Sequence, residues 1–219
     1  MYITVNGVSL YYEKTGSGRP LVMAHCNSMD HKIFKKAAKK LSSRFTVYCP
    51  DSRDHGKSGK VKTLHYEDMA EDMFQFITAL GLERPVFYGF SDGGIIGLIL
   101  ASRHPDLLSS LIVSGASLRP DSTKDLPLRF FRLWSHVDRS DKMRIMLREP
   151  DLTDELLAAI RVPTFVTAGE RDVIKPEHTR HIAETVPGAA LKIFPKTGHT
   201  GYIVNSEKIA DYILSVIPE

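Results

Sequence analysis

Gly89-Phe90-Ser91-Asp92-Gly93 sets a hydroxyl between two glycines, with a further glycine at Gly94. A serine hydroxyl is a poor nucleophile until a base takes its proton, and that base must be oriented by a third group. The G-x-S-x-G spacing has a mechanical meaning where a strand turns sharply into a helix. There the side-chain oxygen stands clear of the backbone, and the glycines leave room for the neighbouring strand and helix. The apolar run Val86-Phe87-Tyr88 before it and Ile95-Ile96-Gly97-Leu98-Ile99-Leu100-Ala101 after it supply that context. Downstream lie an acid and then a histidine. Gly169-Glu170-Arg171-Asp172 follows a strand-like run at 164–168, so a carboxylate stands where a strand end presents it. Glu170, Asp172 and Glu177 compete for that role, and Asp172 is the choice. Gly198-His199-Thr200 follows the run Leu191-Lys192-Ile193-Phe194 and fits the base. The other histidines lack such placement, and His178 and His181 are expected on a solvated helix face.

The elements that must hold these groups read as strands alternating with helices. Ile3-Thr4-Val5 and Val8-Ser9-Leu10-Tyr11-Tyr12 flank Asn6-Gly7, a strong hairpin signal because both turn residues need positive φ. Leu21-Val22-Met23-Ala24 and Phe45-Thr46-Val47-Tyr48-Cys49 are further strands, around a helix predicted over 32–41 with Ile33, Phe34, Ala37, Ala38 and Leu41 inward and five lysines outward. A helix over 66–80 carries Met69, Met73, Phe76, Ile77 and Leu80 at helical spacing and ends at Gly81. Strands at 86–88, 111–113, 164–168 and 191–194 follow, with helices after the elbow and over 177–186 and 207–216. This pattern predicts an α/β fold: a mostly parallel sheet with an N-terminal antiparallel hairpin and helices on both faces. Its active groups belong at the carboxyl ends of the strands. Residues 116–162 show no strand, only helix-like pieces carrying Phe130, Phe131 and Trp134. They read as a short helical cap inserted before the penultimate strand, with the aromatics packing between cap and sheet and partly walling a pocket.

At 219 residues, 42% hydrophobic and 25% charged, the chain reads as one soluble domain over 1–219. A net charge of +3 is too small to argue for nucleic acid or a membrane surface. Cys26 and Cys49 show no metal spacing, and no signal segment or membrane span is read, so a cytoplasmic protein is expected. Cys26 reads as a small buried residue rather than a nucleophile. A phosphate-binding loop at Gly56-Lys57-Ser58 fails, because Asp51 stands where its first glycine is needed.

Taken together, His25, Asp51-Ser52-Arg53-Asp54-His55-Gly56-Lys57-Ser58, the elbow, Val162-Pro163, Gly169-Glu170-Arg171-Asp172 and Gly198-His199 resemble the α/β-hydrolase-fold serine hydrolases. The likeness covers nearly the whole chain and points to the branch with small carboxylesterases, valacyclovir-hydrolase-like and haloperoxidase-like proteins. It implies Ser91 as nucleophile, Asp172 as orienting acid and His199 as base, with no metal and no cofactor. The oxyanion hole would use the backbone N–H groups of Asp92 and Asn27. Two positions depart from the family pattern: Cys26 and Asp54 each stand where glycine is usual. The resemblance also implies that the Asp92 side chain could attract a substrate amine, but the plainer role of supporting a helix N-terminus follows from position alone and is the choice at this point.

The activity so implied is cleavage of a small-molecule carboxylic ester through an acyl-enzyme. A small cap favours short acyl groups. Acyl transfer, lactone opening, carbon–carbon cleavage and a non-catalytic binding role are the alternatives on such a scaffold.

Overall fold

The computed structural model describes residues 1–218. Its strands are β1 (Tyr2–Val5), β2 (Val8–Thr15), β3 (Arg19–Ala24), β4 (Phe45–Pro50), β5 (Val86–Phe90), β6 (Ser110–Ser114), β7 (Thr164–Arg171) and β8 (Ala190–Gly198). They form one eight-stranded sheet in the order β1-β2-β4-β3-β5-β6-β7-β8. From β4 to β8 every neighbouring pair is parallel, while β2 runs antiparallel to both β1 and β4. Asn6 and Gly7 turn the hairpin with φ of +46° and +73°, as the two-residue turn demands.

The helices are α1 (Lys35–Leu41), α2 (Tyr66–Ala79), α3 (Asp92–Arg103), α4 (Asp125–Trp134), α5 (Asp141–Arg148), α6 (Asp154–Ala158), α7 (Pro176–Thr185) and α8 (Lys208–Val216). They cover both faces of the sheet. One apolar cluster joins α2, α3, α6 and α7 to the sheet through Phe76, Leu98, Leu157 and Ile182. The other joins α1 and α8 through Leu41 and Ile213. Burial of these faces, not helix propensity, is what stabilises such short helices.

The helix expected over 32–41 departs in its first turn. His31–Phe34 is a 3-10 turn whose Asp30 side chain accepts from the Lys32 N–H. The backbone N–H and Nδ1 of His31 both meet Asp51 Oδ1, at 2.8 and 2.7 Å, which tightens the turn before α1 begins. The inward residues Ile33, Phe34, Ala37, Ala38 and Leu41 are all buried, as their spacing requires.

Both β7 and β8 run further than their apolar cores foretold, and the extension positions chemistry. Pairing continues through an irregularity between Gly169 and Arg171 and ends with Arg171 opposite Gly198. A Cβ on Gly169 would come within 2.5 Å of the Gly198 carbonyl, so only glycine allows the two backbones this close. The next residues along the two strands are Asp172 and His199. At the outer side of the sheet, β8 leaves Leu191 and Ile193 exposed.

Between β6 and β7 the chain makes a 3-10 turn (Pro120–Ser122) and then α4, α5 and α6. The last of these packs on α3 and α7 as the crossover helix. By contrast, α4 rests on α5 and the 3-10 turn and buries only Leu128. Of the aromatic residues on it, Phe130 and Trp134 are exposed and so do not pack between cap and sheet, while Phe131 is half-buried.

A buried ion pair ties the hairpin side of the sheet to α2. Arg53 donates through Nε and Nη2 to the two oxygens of Asp72, each at 2.6 Å, and Asn6 Nδ2 donates to Asp72 Oδ1 at 3.1 Å. Burial still outweighs this pairing and leaves the Asp72 carboxyl above the usual range.

Candidate active site

Ser91 sits between β5 and α3 with φ +53° and ψ −110°, a conformation that a non-glycine residue rarely adopts. The glycines on either side are forced by contact. A Cβ on Gly89 would lie 2.0 Å from the Gly93 carbonyl oxygen, and one on Gly93 would lie 2.1 Å from that of Ala24. The Ser91 N–H donates to the Ser114 carbonyl at 2.8 Å, and its carbonyl accepts from Gly94 and Ile95. The elbow is thus pinned to β6 on one side and to the first turn of α3 on the other.

Asp172 is buried and accepts from His199 Nδ1 at 2.7 Å through Oδ1. The Ile174 N–H donates to the same oxygen at 3.0 Å, and the Gly169 N–H to Oδ2 at 3.3 Å. Burial pushes this carboxyl up, but His199 and the two N–H groups outweigh it and hold it below the usual carboxylate range. The bond to Nδ1 leaves Nε2 of His199 free to act on the cavity side. Phe90 packs against the ring, with centroids 4.9 Å apart. Glu170, the rival acid, is exposed and accepts instead from the Lys196 N–H at 2.6 Å.

Ser91 and His199 line one cavity of about 360 Å³, together with Cys26, Asn27, Tyr66, Asp92, Glu149 and the aromatics of α4. Among the described residues no hydrogen bond yet joins the Ser91 hydroxyl to His199, a contact that commonly tightens only when substrate is bound. A larger cavity of about 510 Å³ between β2, β4 and the 3-10 turn before α1 contains none of these groups.

Asn27 follows β3 and reaches the cap, its Nδ2 donating to the Lys142 carbonyl at 3.0 Å. The backbone N–H groups of Asn27 and Asp92 have no acceptor among the described residues, and that of Asp92 opens α3, where no intrahelical acceptor exists. The two positions that depart from glycine are accommodated differently. Asp54 takes φ +61° and occupies the left-handed region itself, whereas Cys26 is absent from that region and Ser28 enters it at +58°. Burial, with Asp92 nearby, pushes the Cys26 thiol up to about 12, so it stays protonated. Behind it, His25 Nε2 accepts from the Ser52 N–H at 2.9 Å. Its proton is then on Nδ1, which donates to the Cys26 carbonyl at 2.7 Å.

Asp92 begins α3, yet its side chain is buried in the cavity wall. Tyr66 OH donates to Oδ1 at 3.0 Å, while Oδ2 has no hydrogen-bond partner among the described residues. Burial pushes the carboxyl up to about 6 despite the pull of Tyr66 and the nearby Asn27 amide. Tyr66 is gripped at its other end too, where its N–H donates to Glu149 Oε2 at 3.1 Å.

Several of these residues carry no signal in the sequence. Tyr66 and Glu149 lie far apart in the chain, and Tyr66 reads only as a helix start. Gly115, at φ +58°, comes so close to His199 that a Cβ there would sit 2.7 Å from its Cε1; its one clue is a glycine directly after a strand. His181 lies on the solvated face of α7 as expected, its Nε2 bonding Asp154 Oδ1 at 2.7 Å, whereas His178 is half-buried and its Nδ1 bonds Ser122 Oγ at 3.0 Å. Asp30, His31 and Asp51 lie close enough to share a metal ion. Their atoms are already engaged, with Asp51 Oδ2 accepting from the Lys57 N–H at 2.9 Å and Asp30 capping the 3-10 turn.

Residues 19–145 match the family described as alpha/beta hydrolase fold. A curated relative, the AB hydrolase superfamily protein YisY of Bacillus subtilis, is 28% identical over an alignment that covers 96% of each chain. The human serine hydrolase BPHL is 27% identical across 90% of this chain and 79% of its own. Among solved structures, the esterase EaEST from Exiguobacterium antarcticum superposes with a TM-score of 0.81 at 26% identity, covering 98% of this chain and 97% of its own.

Proposed function

The chain belongs to the alpha/beta hydrolase family, and from that premise we propose that it is a serine hydrolase that cleaves small carboxylic esters through an acyl-enzyme. The observation that carries the reading is the pairing of Asp172 with His199 beside a Ser91 held at φ +53° on the same cavity. Ser91 Oγ attacks the ester carbonyl while His199 Nε2 takes its proton. The negative charge that develops on the carbonyl oxygen is met by the N–H groups of Asp92 and Asn27. Collapse of that intermediate expels the alcohol, which leaves with the proton from His199. Water, deprotonated by the same ring, then releases the acid and restores Ser91. Asp172 keeps the imidazole in the needed tautomer throughout.

The cavity supports a substrate class. At about 360 Å³ it lies at the small end of ligand sites, which supports short acyl groups. A specific observation favours a further refinement, esters carrying an amine: Asp92 presents a buried carboxylate oxygen without a partner. An ammonium would supply the missing partner and the missing positive charge.

The test is a panel of p-nitrophenyl esters from acetate to decanoate with the wild type and Ser91→Ala. Acetate and butyrate should be turned over fastest. The variant should fold normally and lose on the order of 10³-fold or more in kcat. Near-normal turnover by Ser91→Ala would reject the mechanism, and an optimum at decanoate would reject the short-acyl assignment.

A further inference from the structure

Beside the mouth of the cavity, α4 turns an apolar stripe to solvent. Leu126, Phe130, Leu133 and Trp134 on the helix, with Val137 in the following turn, are 79%, 58%, 69%, 46% and 72% exposed. Their spacing places them on one face, opposite the helix's single buried residue, Leu128. A face of this kind on a soluble protein marks a surface that meets something.

The charge around the stripe says what it meets. Residues 119–144 hold seven lysines and arginines against four aspartates, which equals the whole chain's net +3, so the rest of the molecule is formally neutral. Arg129, Arg132 and Arg139 are exposed and make no ion pair among the described residues. An apolar stripe flanked by unpaired arginines matches a surface that is apolar beneath an anionic layer. A second copy docked stripe to stripe would instead set arginine against arginine.

We propose that α4 docks the protein onto an anionic lipid–water interface. The apolar stripe enters the acyl boundary, and the arginines stay at the phosphate level, where their long stems let them reach. Phe130, Phe131 and Trp134 wall the cavity from the same helix, so docking would turn the mouth of the site toward the lipid. An ester held at that surface could then reach the cavity without crossing bulk water. Net charge alone conceals this surface, because +3 spread over a whole chain predicts nothing, whereas +3 on one helical segment does.

Trp134 is the chain's single tryptophan, so intrinsic emission reports on this stripe. The experiment mixes the full-length protein with vesicles of phosphatidylglycerol and, separately, of phosphatidylcholine, and reads both sedimentation and Trp134 emission. With phosphatidylglycerol the protein should sediment and its emission should shift to the blue; with phosphatidylcholine it should do neither. Leu126→Glu with Leu133→Glu should abolish sedimentation while keeping the wild-type thermal melt, since both side chains are solvent-exposed. Arg129→Gln and Arg132→Gln should each weaken partition roughly fivefold. Wild type that stays in the supernatant with unmoved emission overturns the proposal, as does equal binding to both lipids. A dimer in analytical ultracentrifugation that Leu133→Glu dissociates, without vesicle binding by the wild type, would assign the stripe to a second copy instead.

Discussion

The Tyr66 hydroxyl holds one oxygen of Asp92 at 3.0 Å and leaves the other without a partner in the cavity wall. The consequence for stability has a definite sign. Burial raises this carboxyl from 3.8 to about 6 in the folded protein, so the folded state binds the proton more tightly than the unfolded chain does. Stability therefore falls as pH rises from about 4 to about 6, and the loss is complete above that window. Asp92→Asn should stabilise the protein at pH 8 by on the order of 2–3 kcal/mol and have little effect near pH 4. Denaturant melts at the two pH values measure the difference. An unchanged midpoint at pH 8 would show that the carboxylate carries no such penalty.

The same substitution separates two roles in catalysis. If the unpartnered oxygen receives a substrate ammonium, Asp92→Asn should lower kcat/KM for an aminoacyl ester at least tenfold more than for its neutral isostere. A buried charged hydrogen bond of about 1.5–3 kcal/mol predicts a ratio of that order. Equal losses on both esters would leave Asp92 as part of the elbow and its helix alone.

Asp172→Asn should depress kcat by about 10⁴, because the amide holds His199 in the wrong tautomer while preserving its position. Glu170→Gln should leave kcat unchanged, since that side chain accepts only from the Lys196 backbone on the exposed sheet edge. Reversed sensitivities would move the acid to Glu170.

Asp72→Ala should destabilise the fold by up to about 3–5 kcal/mol, as it leaves the buried Arg53 guanidinium with only the half-exposed Asp68 carboxylate, 3.2 Å from Nη1, as a counter-charge. Pairing it with Arg53→Met should recover much of the loss, which thermal or denaturant melts would detect. Failure to recover would mean that the packing of the Arg53 side chain and the Asn6 bond to this site, not the unpaired charge, carry the stability.

What the sequence made legible is what local rules govern. Asn6-Gly7 had to turn the hairpin because the turn needs positive φ twice, and Gly89 and Gly93 had to flank a bare serine because any Cβ would strike backbone. What it concealed depends on distant partners. Asp51 tightens the first turn before α1 from twenty residues away, and Ser122 binds His178 across the insertion. The stripe on α4 shows the limit most clearly. Periodicity reveals that a helix has an apolar face but cannot tell whether protein covers it. Phe130 and Trp134 therefore read as packing between cap and sheet, yet they are largely open to solvent while also walling the cavity.

The exposed strand β8 bears on how the protein behaves at high concentration. It is a nine-residue sheet edge with Leu191 and Ile193 outward, a template on which another chain could add a strand. Three residues guard it: Pro195 offers no N–H, and Lys192 and Lys196 set like charges against any incoming copy of the same strand. The Lys196 N–H is also taken by Glu170. Colloidal behaviour thus depends on a few side chains far from the candidate site, and changing Pro195 and both lysines together should make the edge more prone to strand addition by another copy.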